Sequence, residues 1–559
     1  MRFRYQAPSH SSCLVDADEE PPHDADVDAI DITLTVSELL KAKAVDEIHF
    51  MRKIVIDGSN TAGFQRTALA ALDGTMDIGG KSIVIQTICL EEDAARKVEA
   101  KGQEITYRLD RLGIPLIEIA TGPDMHSPEE VREVAARLGS ILRATKRVKR
   151  GIGTIREDLN ISIPGGARVE VKGVQELRML PVYVQKEMER QTGLLAVKAV
   201  LEEMKAGAFD VGIKDVGSAL ASSKSKVISG ALAKGGKVLG FVAPGFAGLM
   251  KSPDGKLRLG AEMAQYARTR GAMGIFHSDE LPGYGITEEE VSRLRTALNV
   301  AEGDAFVICA DEATKAQAAL ESAMLRANMA LEGVPEETRD PLPDGSTTYS
   351  RPLPGASRMY PETDVRPIVV SEERLIKVRS ELPELPEATV RRFVKSYGLH
   401  EQQAVQIVRE GYEELFEEAA QKLDLGAVAA KTLLNTLPEL EREGLDISVL
   451  DEAKIRGALV SLKNGEFTKE AMPDILRQMA LGRSASEAVK VLGIERVEGT
   501  EAEAVIASIV KEREAFVREK GAAAVGPLMA VVMEKLKGRV DGKTASEMLK
   551  AEISRLLSS

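Results

Sequence analysis

Between Thr154 and Lys172 the chain carries a pattern that leaves little choice of local structure. Ile155, Leu159, Ile161 and Ile163 alternate with Thr154, Arg156, Asp158, Asn160 and Ser162, broken only by Glu157. A period of two marks a strand with one buried face. Pro164-Gly165-Gly166 follows, and Arg168-Val-Glu170-Val-Lys172 resumes the alternation. The stretch is therefore expected to fold as a β-hairpin with a three-residue loop. Folding about Gly165 sets Ser162 across from Arg168, Asn160 across from Glu170 and Asp158 across from Lys172, which makes one face polar throughout. A solvated face knitted by cross-strand pairs is one reading. The density of hydrogen-bonding groups supports another, a surface built for chemistry.

Further carboxylates lie upstream, in Glu91-Glu92-Asp93 and Asp110-Arg-Leu-Gly-Ile-Pro-Leu-Ile-Glu118, at the ends of apolar runs. Hard cations such as Mg²⁺ take oxygen ligands of this kind. Together with the hairpin they suggest a bed for ATP and a divalent metal.

Other segments organise the chain around that stretch. Ser127-Pro128-Glu129-Glu130 combines an N-cap, a proline at the first helical position and a capping-box glutamate, and apolar residues recur from Val131 to Leu142. This amphipathic helix runs into Arg143, Lys146, Arg147, Lys149 and Arg150, then Gly151 and Gly153. Those cations either compensate the helix dipole or meet phosphate. Composition shifts near residue 205 to glycine-rich apolar runs with a strand-like Ala305–Ala310, expected to form an inserted α+β domain closed by an extended return loop over 333–367. From Ser371 the periodicity is helical, with a weak boundary at 493–503 and a basic turn at 535–543 that is either solvated or an RNA contact.

A length of 559 residues predicts several domains, and a formal charge of −13 confines any nucleic-acid contact to local basic patches. Cys13, Cys89 and Cys309 are isolated, which argues against a disulfide framework and for a reducing, cytoplasmic setting. His23, His49, His126 and His277 are scattered singly and read as structural or surface residues.

Four strings carry a resemblance: Met51-Arg-Lys-Ile-Val-Ile-Asp-Gly-Ser-Asn-Thr-Ala-Gly-Phe-Gln-Arg66, Thr87-Ile-Cys-Leu-Glu-Glu-Asp-Ala-Ala-Arg96, Tyr107-Arg-Leu-Asp-Arg-Leu-Gly-Ile-Pro-Leu-Ile-Glu-Ile119 and Val148-Lys-Arg-Gly-Ile-Gly-Thr-Ile-Arg-Glu-Asp-Leu-Asn160. With Arg358-Met-Tyr-Pro-Glu-Thr-Asp364, they resemble the GatB/GatE family over essentially the whole chain, on its GatE branch. The resemblance implies a multidomain α+β protein: a catalytic cradle over 1–204, an insertion like that of bacterial aspartyl-tRNA synthetase over 205–370, a helical domain over 371–494 and a tRNA-contacting helical tail over 495–559.

The implied reaction uses ATP and Mg²⁺ to activate the side-chain carboxylate of glutamate esterified to tRNA(Gln), and ammonia then forms the amide. By matching motifs, Glu91 and Glu118 are the expected metal ligands, with Glu92, Asp93 and Asp158 beside them, while Arg156 and Lys172 hold phosphate or the substrate carboxylate. No amidase motif is present in the sequence, so ammonia is expected from a partner, which the resemblance gives as GatD, an asparaginase-like glutaminase, in a dimer of heterodimers. Family members normally open with a further segment whose Gly-Leu-Glu-Ile-His motif helps complete the metal site, and this sequence begins after it. Two alternatives follow: a non-catalytic tRNA-binding fragment of the same family, and a relative of aspartyl-tRNA synthetase.

Overall fold

A computed structural model describes residues 2–102, 104–149, 153–251, 258–353, 359–494, 499–536, 539–540 and 542–558. Arg150, Gly151 and Arg358 lie outside the described residues. The chain forms two compact units, Met1–Pro383 and Glu384–Ser559.

The first unit opens with β1 (Arg2–Gln6) and α1 (Val27–Leu39). Asp26 caps α1 by accepting the Ala29 N–H. Alternation then produces β2 (Phe50–Ile54), the long β3 (Phe64–Ile78) and β4 (Lys81–Glu92); β5 (Arg96–Lys101), β6 (Glu104–Arg108) and β7 (Pro115–Thr121) follow. Strands β2, β3, β4 and β7 are neighbours in one antiparallel sheet. Ala29, Ile30 and Leu34 of α1 pack on Phe50, Ala68, Ala70 and Leu90, so α1 covers one face of that sheet. The loop between β2 and β3 is held by two phenols, with Tyr5 donating to the Gly58 carbonyl at 2.9 Å and Tyr107 to that of Asp57 at 2.8 Å. Gly58 has φ +83°, and a Cβ there would stand 2.5 Å from the Phe3 ring, so only glycine fits.

Helix α2 (Pro128–Ala144) starts at Ser127, whose hydroxyl accepts the Glu130 N–H. Glu130 departs from the expected capping box by one residue: its carboxylate accepts the His126 N–H at 2.6 Å and the Lys81 ammonium at 2.9 Å. The hairpin consists of β8 (Glu157–Ile161), shorter at both ends than the alternation, and β9 (Val169–Val174), which runs past Lys172. Asn160 faces Glu170 in the ladder, a bulge falls between Glu157 and Leu159, and Ser162 and Arg168 lie beyond the strand ends.

Helix α3 (Leu180–Glu203) leads into an α/β segment in which β10 (Lys237–Ala243), α4 (Leu259–Arg268), β11 (Ala305–Asp311) and α5 (Ala313–Glu332) share a core with Leu194, Val197 and Leu201. The return is not an extended loop. Strands β12 (Glu337–Pro341) and β13 (Thr347–Pro352) extend the hairpin sheet in the order β8-β9-β12-β13, and β14 (Met359–Pro361) adds to the edge of β2. The proline and glycine content of 333–367 obscured these strands; β12 and β14 pair with residues far away along the chain, and β13 pairs with β12. Helix α6 (Glu372–Ser380) joins α1 through Arg374–Asp31 at 2.7 Å and Arg379–Glu38 at 3.0 Å, so the first unit ends at Pro383, past the expected boundary at 371.

Beneath β12 lies a buried ionic cluster. Val169 pairs with Glu337 and Val171 with Arg339, which directs those two charges to the face opposite Thr338. There, Arg190 of α3 bonds Glu187 at 2.9 Å, Glu262 at 2.6 Å and Glu337 at 3.1 Å, Arg326 reaches Glu262 at 3.3 Å, and Arg339 bonds Glu337. Opposed charges make the cluster neutral, the condition under which burial is tolerated.

The second unit is helical among its described residues. One core gathers Phe393, Phe416, Leu433, Leu459 and Ile475, and another gathers Ile506, Leu528, Val532 and Leu549. Arg539 of the basic turn pairs with Glu501 at 3.3 Å.

Leu34 is fully buried between α1 and the sheet. Leu34→Ala should cost the first unit about 2–5 kcal/mol. Urea unfolding followed by circular dichroism measures this; a loss under about 1 kcal/mol would show that α1 is not integral to the core.

Candidate active site

Register decides which side chains meet. Lys53 is opposite Gln65, Thr67 opposite Glu91, and Cys89 opposite Glu118. Residues facing each other across a ladder share a side of the sheet. Lys53, Gln65, Glu91, Cys89 and Glu118 therefore stand together on the face away from α1. One position along β4 the direction reverses: Leu90 enters the core under α1, and Glu92 goes to Arg66 at 3.3 Å.

Glu91 is buried, and each carboxylate oxygen has a partner: the Lys53 ammonium at 3.3 Å and the Gln65 amide at 3.2 Å. Gln65 is oriented by its stronger bond to the Glu92 carbonyl at 2.7 Å. Glu118 remains open to solvent at the surface, although its carboxyl is partly desolvated. That desolvation, with the charge of Glu91 and a hydrogen bond to it, raises Glu118 to about 7, against the opposing pull of Lys53. Glu118 therefore exchanges its proton near neutral pH. Cys89 beside the two carboxyls is pushed up to about 11 by burial and by the charges of Glu118 and Glu91, so it is a thiol and not a nucleophile.

The hairpin supplies the adjoining wall. Lys172 donates to Asp158 at 2.7 Å and to Glu170 at 3.0 Å, and Asp158 also accepts the Gly173 N–H at 2.7 Å. Burial works against the Lys172 charge, but the two carboxylates outweigh it and raise its pKa. Thr338 of β12 donates to the other Glu170 oxygen at 3.1 Å. Glu118 feels the Asp158 charge, which ties this wall electrostatically to the carboxylate pair.

The structure thus brings Glu91 and Glu118 together, with Asp158 and Lys172 beside them. It separates the others expected with them. Glu92 lies on the opposite face because consecutive strand residues point apart. Asp93, just past β4, is bracketed by Arg156 at 3.1 Å and Arg111 at 3.4 Å, so neither Asp93 nor Arg156 is directed at Glu91. Lys53, Gln65 and Thr338 escaped the sequence reading, which placed Glu170 on the polar hairpin face but gave it no role in the site. Pairing β2 with β3 across the 55–63 loop would have exposed Lys53 and Gln65; no local signal marks Thr338.

On the opposite face, Arg52 is stacked against Phe64, with its carbon Cζ 4.7 Å from the ring centre, and bonds Glu362 and Asp364. Arg66 bonds Glu362 at 2.7 Å. Burial opposes ionisation of Glu362, but these guanidinium bonds and the Asp364 N–H hold it at about 2. This cluster fastens β14 to β2.

Among the described residues, no group of three or more His, Cys, Asp or Glu is arranged to enclose a metal ion. The Glu91–Glu118 pair still fits Mg²⁺, which is commonly held by one or two carboxylates, water and nucleotide phosphates instead of a full protein cage.

Paired carboxylates, nearby ammonium groups and a hairpin wall thus concentrate charged side chains on one open sheet face. Residues 4–376 match the GatB/GatE catalytic domain and residues 414–553 the GatB domain, and the chain belongs to the GatB/GatE family. It is 45% identical over 560 residues to the GatE subunit of glutamyl-tRNA(Gln) amidotransferase from Thermococcus gammatolerans, covering 99% of this chain and 89% of the relative. It is 45% identical over 562 residues to the GatE subunit from Methanocaldococcus jannaschii, covering 99% and 89%. Identity to the GatE subunit from Aeropyrum pernix is 44% over 570 residues, covering 100% and 88%.

Because Glu118 keeps its proton in the folded protein to a pH of about 7, the native state binds more protons than the unfolded chain between the ordinary glutamate range and 7. Stability attributable to Glu118 therefore falls as pH rises through that window. In EDTA, thermal unfolding of Glu118→Gln should match wild type near pH 4 and occur at higher temperature near pH 8. Parallel pH curves would contradict the raised pKa of Glu118.

Proposed function

We propose that this chain is the activating subunit of a tRNA-dependent amidotransferase that converts glutamate esterified to tRNA(Gln) into glutamine. The observation that carries the reading is the Glu91–Glu118 pair, set beside Lys53 and the Asp158–Lys172 wall on one open sheet face. Its family membership supports the same reading.

In the first step a side-chain carboxylate oxygen of the esterified glutamate bonds the γ-phosphorus of ATP as the bond to the β,γ-bridging oxygen breaks. ADP leaves with that electron pair, and an acyl phosphate remains. Ammonia then attacks the acyl carbon, phosphate departs, and the nitrogen loses a proton to give the amide. Such transfers rely on positioning and charge stabilisation. Mg²⁺, when bound, would supply Lewis-acid polarisation of phosphate oxygens, and Glu91 and Glu118 would hold it. Gln65 fixes the Glu91 carboxylate in place. Lys172, held by Asp158 and Glu170, fixes the hairpin wall beside the carboxylate pair.

Ammonia comes from a separate glutaminase, GatD, in a dimer of heterodimers. The segment over 205–370 acts as a synthetase-like insertion, and the helical tail contacts tRNA(Gln). No helix among the described residues is long and apolar enough to cross a membrane, in keeping with work on a soluble tRNA.

Replacing Glu118 with alanine in the complex with its ammonia-supplying partner should slow amide formation by about 100-fold or more. Binding of Glu-tRNA(Gln), followed by filter retention, should stay within about twofold, since no basic contact is removed. Unchanged amide formation would remove Glu118 from the site, and loss of both would overturn its assignment to chemistry alone.

A further inference from the structure

Phosphoryl transfer needs a cation free to move onto the oxygens of the transferring group. The cations in this region differ in how firmly they are engaged. Lys172 is neutralised by both Asp158 and Glu170, Arg156 is tied to Asp93, and Arg66 is bonded to Glu362 and Glu92 on the far face. Lys53 is different. Its one hydrogen-bond partner among the described residues is Glu91, at 3.3 Å, the longest lysine bond in the site. Its side chain keeps 25% of its exposure, whereas that of Glu91 keeps 9%. The ammonium therefore sits at the open side of the carboxylate pair, on the same face as Glu118.

We infer that Lys53 is a further catalytic residue, whose ammonium leaves Glu91 when nucleotide binds and contacts the γ-phosphoryl group of ATP during its transfer. This rests on the activating reaction proposed above. Three features favour Lys53. It projects from the penultimate residue of β2, so its stem is anchored in a paired strand. Lysine carries a compact charge on a flexible stem with rotatable donors, suited to following phosphate oxygens as they move from ATP to carboxylate. Were Glu91 and Glu118 to hold a cation, its like charge would weaken the hold of Glu91 on the ammonium and leave the ammonium available to an incoming anion. No atom is exchanged with the lysine: the ammonium keeps its three protons, and its role is to stabilise charge.

The test compares ATP with ADP, which differ by the group Lys53 is assigned to touch. Equilibrium dialysis with Mg²⁺ on the full chain should show Lys53→Met weakening ATP about tenfold and ADP less than twofold, with Lys53→Arg intermediate. In the complex with its partner and Glu-tRNA(Gln), amide formation by Lys53→Met should fall about 100-fold, with tRNA binding retained. Lys53→Gln provides a second neutral variant, and thermal unfolding of each variant reports on folding. ATP and ADP weakened equally, or both affinities and turnover within twofold of wild type, would overturn the assignment. If wild type binds both nucleotides but forms no amide, the proposed reaction fails, whereas the ATP-to-ADP ratio of the variants still decides whether Lys53 meets the terminal phosphate.

Discussion

The first unit depends on the alternation of side chains across one antiparallel sheet. Along β4 the sequence Leu90-Glu91-Glu92 sends an apolar residue into the core beneath α1, a carboxylate up to Lys53, Gln65 and Glu118, and a second carboxylate down to Arg66. A slip of one residue in this register would bury Glu91 under α1 and expose Leu90. The same packing that stabilises the sheet therefore sets the chemistry on its open face. Glu92 and Glu362 serve the other side, where Arg52 and Arg66 draw β14 onto the sheet edge.

The hairpin wall is positioned from behind. Thr338 supports Glu170, which supports Lys172, while its neighbours Glu337 and Arg339 turn into the neutral cluster of arginines and glutamates from α3, α4 and α5. Glu187 and Glu337 are almost completely buried, as are Arg326 and Arg339. Removing one member would leave an uncompensated charge in the interior, so the set is retained or lost together. It links the α/β segment to the strand beside the site, which gives a segment with no residue among the site groups a physical influence on their geometry.

Much of this was legible in the sequence where the signal is local. The alternation of 154–172 gave the hairpin and the Asn160–Glu170 pairing, and Ser127-Pro128 marked the start of α2. Helix α1 was not legible. Thr33, Thr35 and Ser37 resemble strand residues, and their hydroxyls are accommodated by bonding the carbonyls of Ala29, Asp31 and Thr33 one turn earlier. Strands β12 and β14 were hidden because their partners lie in β9 and β2, far away along the chain, and β13 in turn pairs with β12. The site was legible in part for the same reason. Glu91 and Glu118 were read at the ends of apolar runs, but which neighbouring carboxylate accompanies them is a matter of parity. Adjacency along the chain grouped Glu92 and Asp93 with Glu91, whereas the pleat separates Glu92 and a pair of arginines claims Asp93.

The most direct test of this account is Mn²⁺ binding followed by electron paramagnetic resonance in the presence of ATP, comparing substitutions at adjacent positions of one strand. The pleat predicts that Glu91→Gln and Glu118→Gln each weaken Mn²⁺ by about tenfold or more while Glu92→Gln stays within about twofold. Equal weakening by Glu92→Gln, or Mn²⁺ binding indifferent to Glu91 and Glu118, would contradict it.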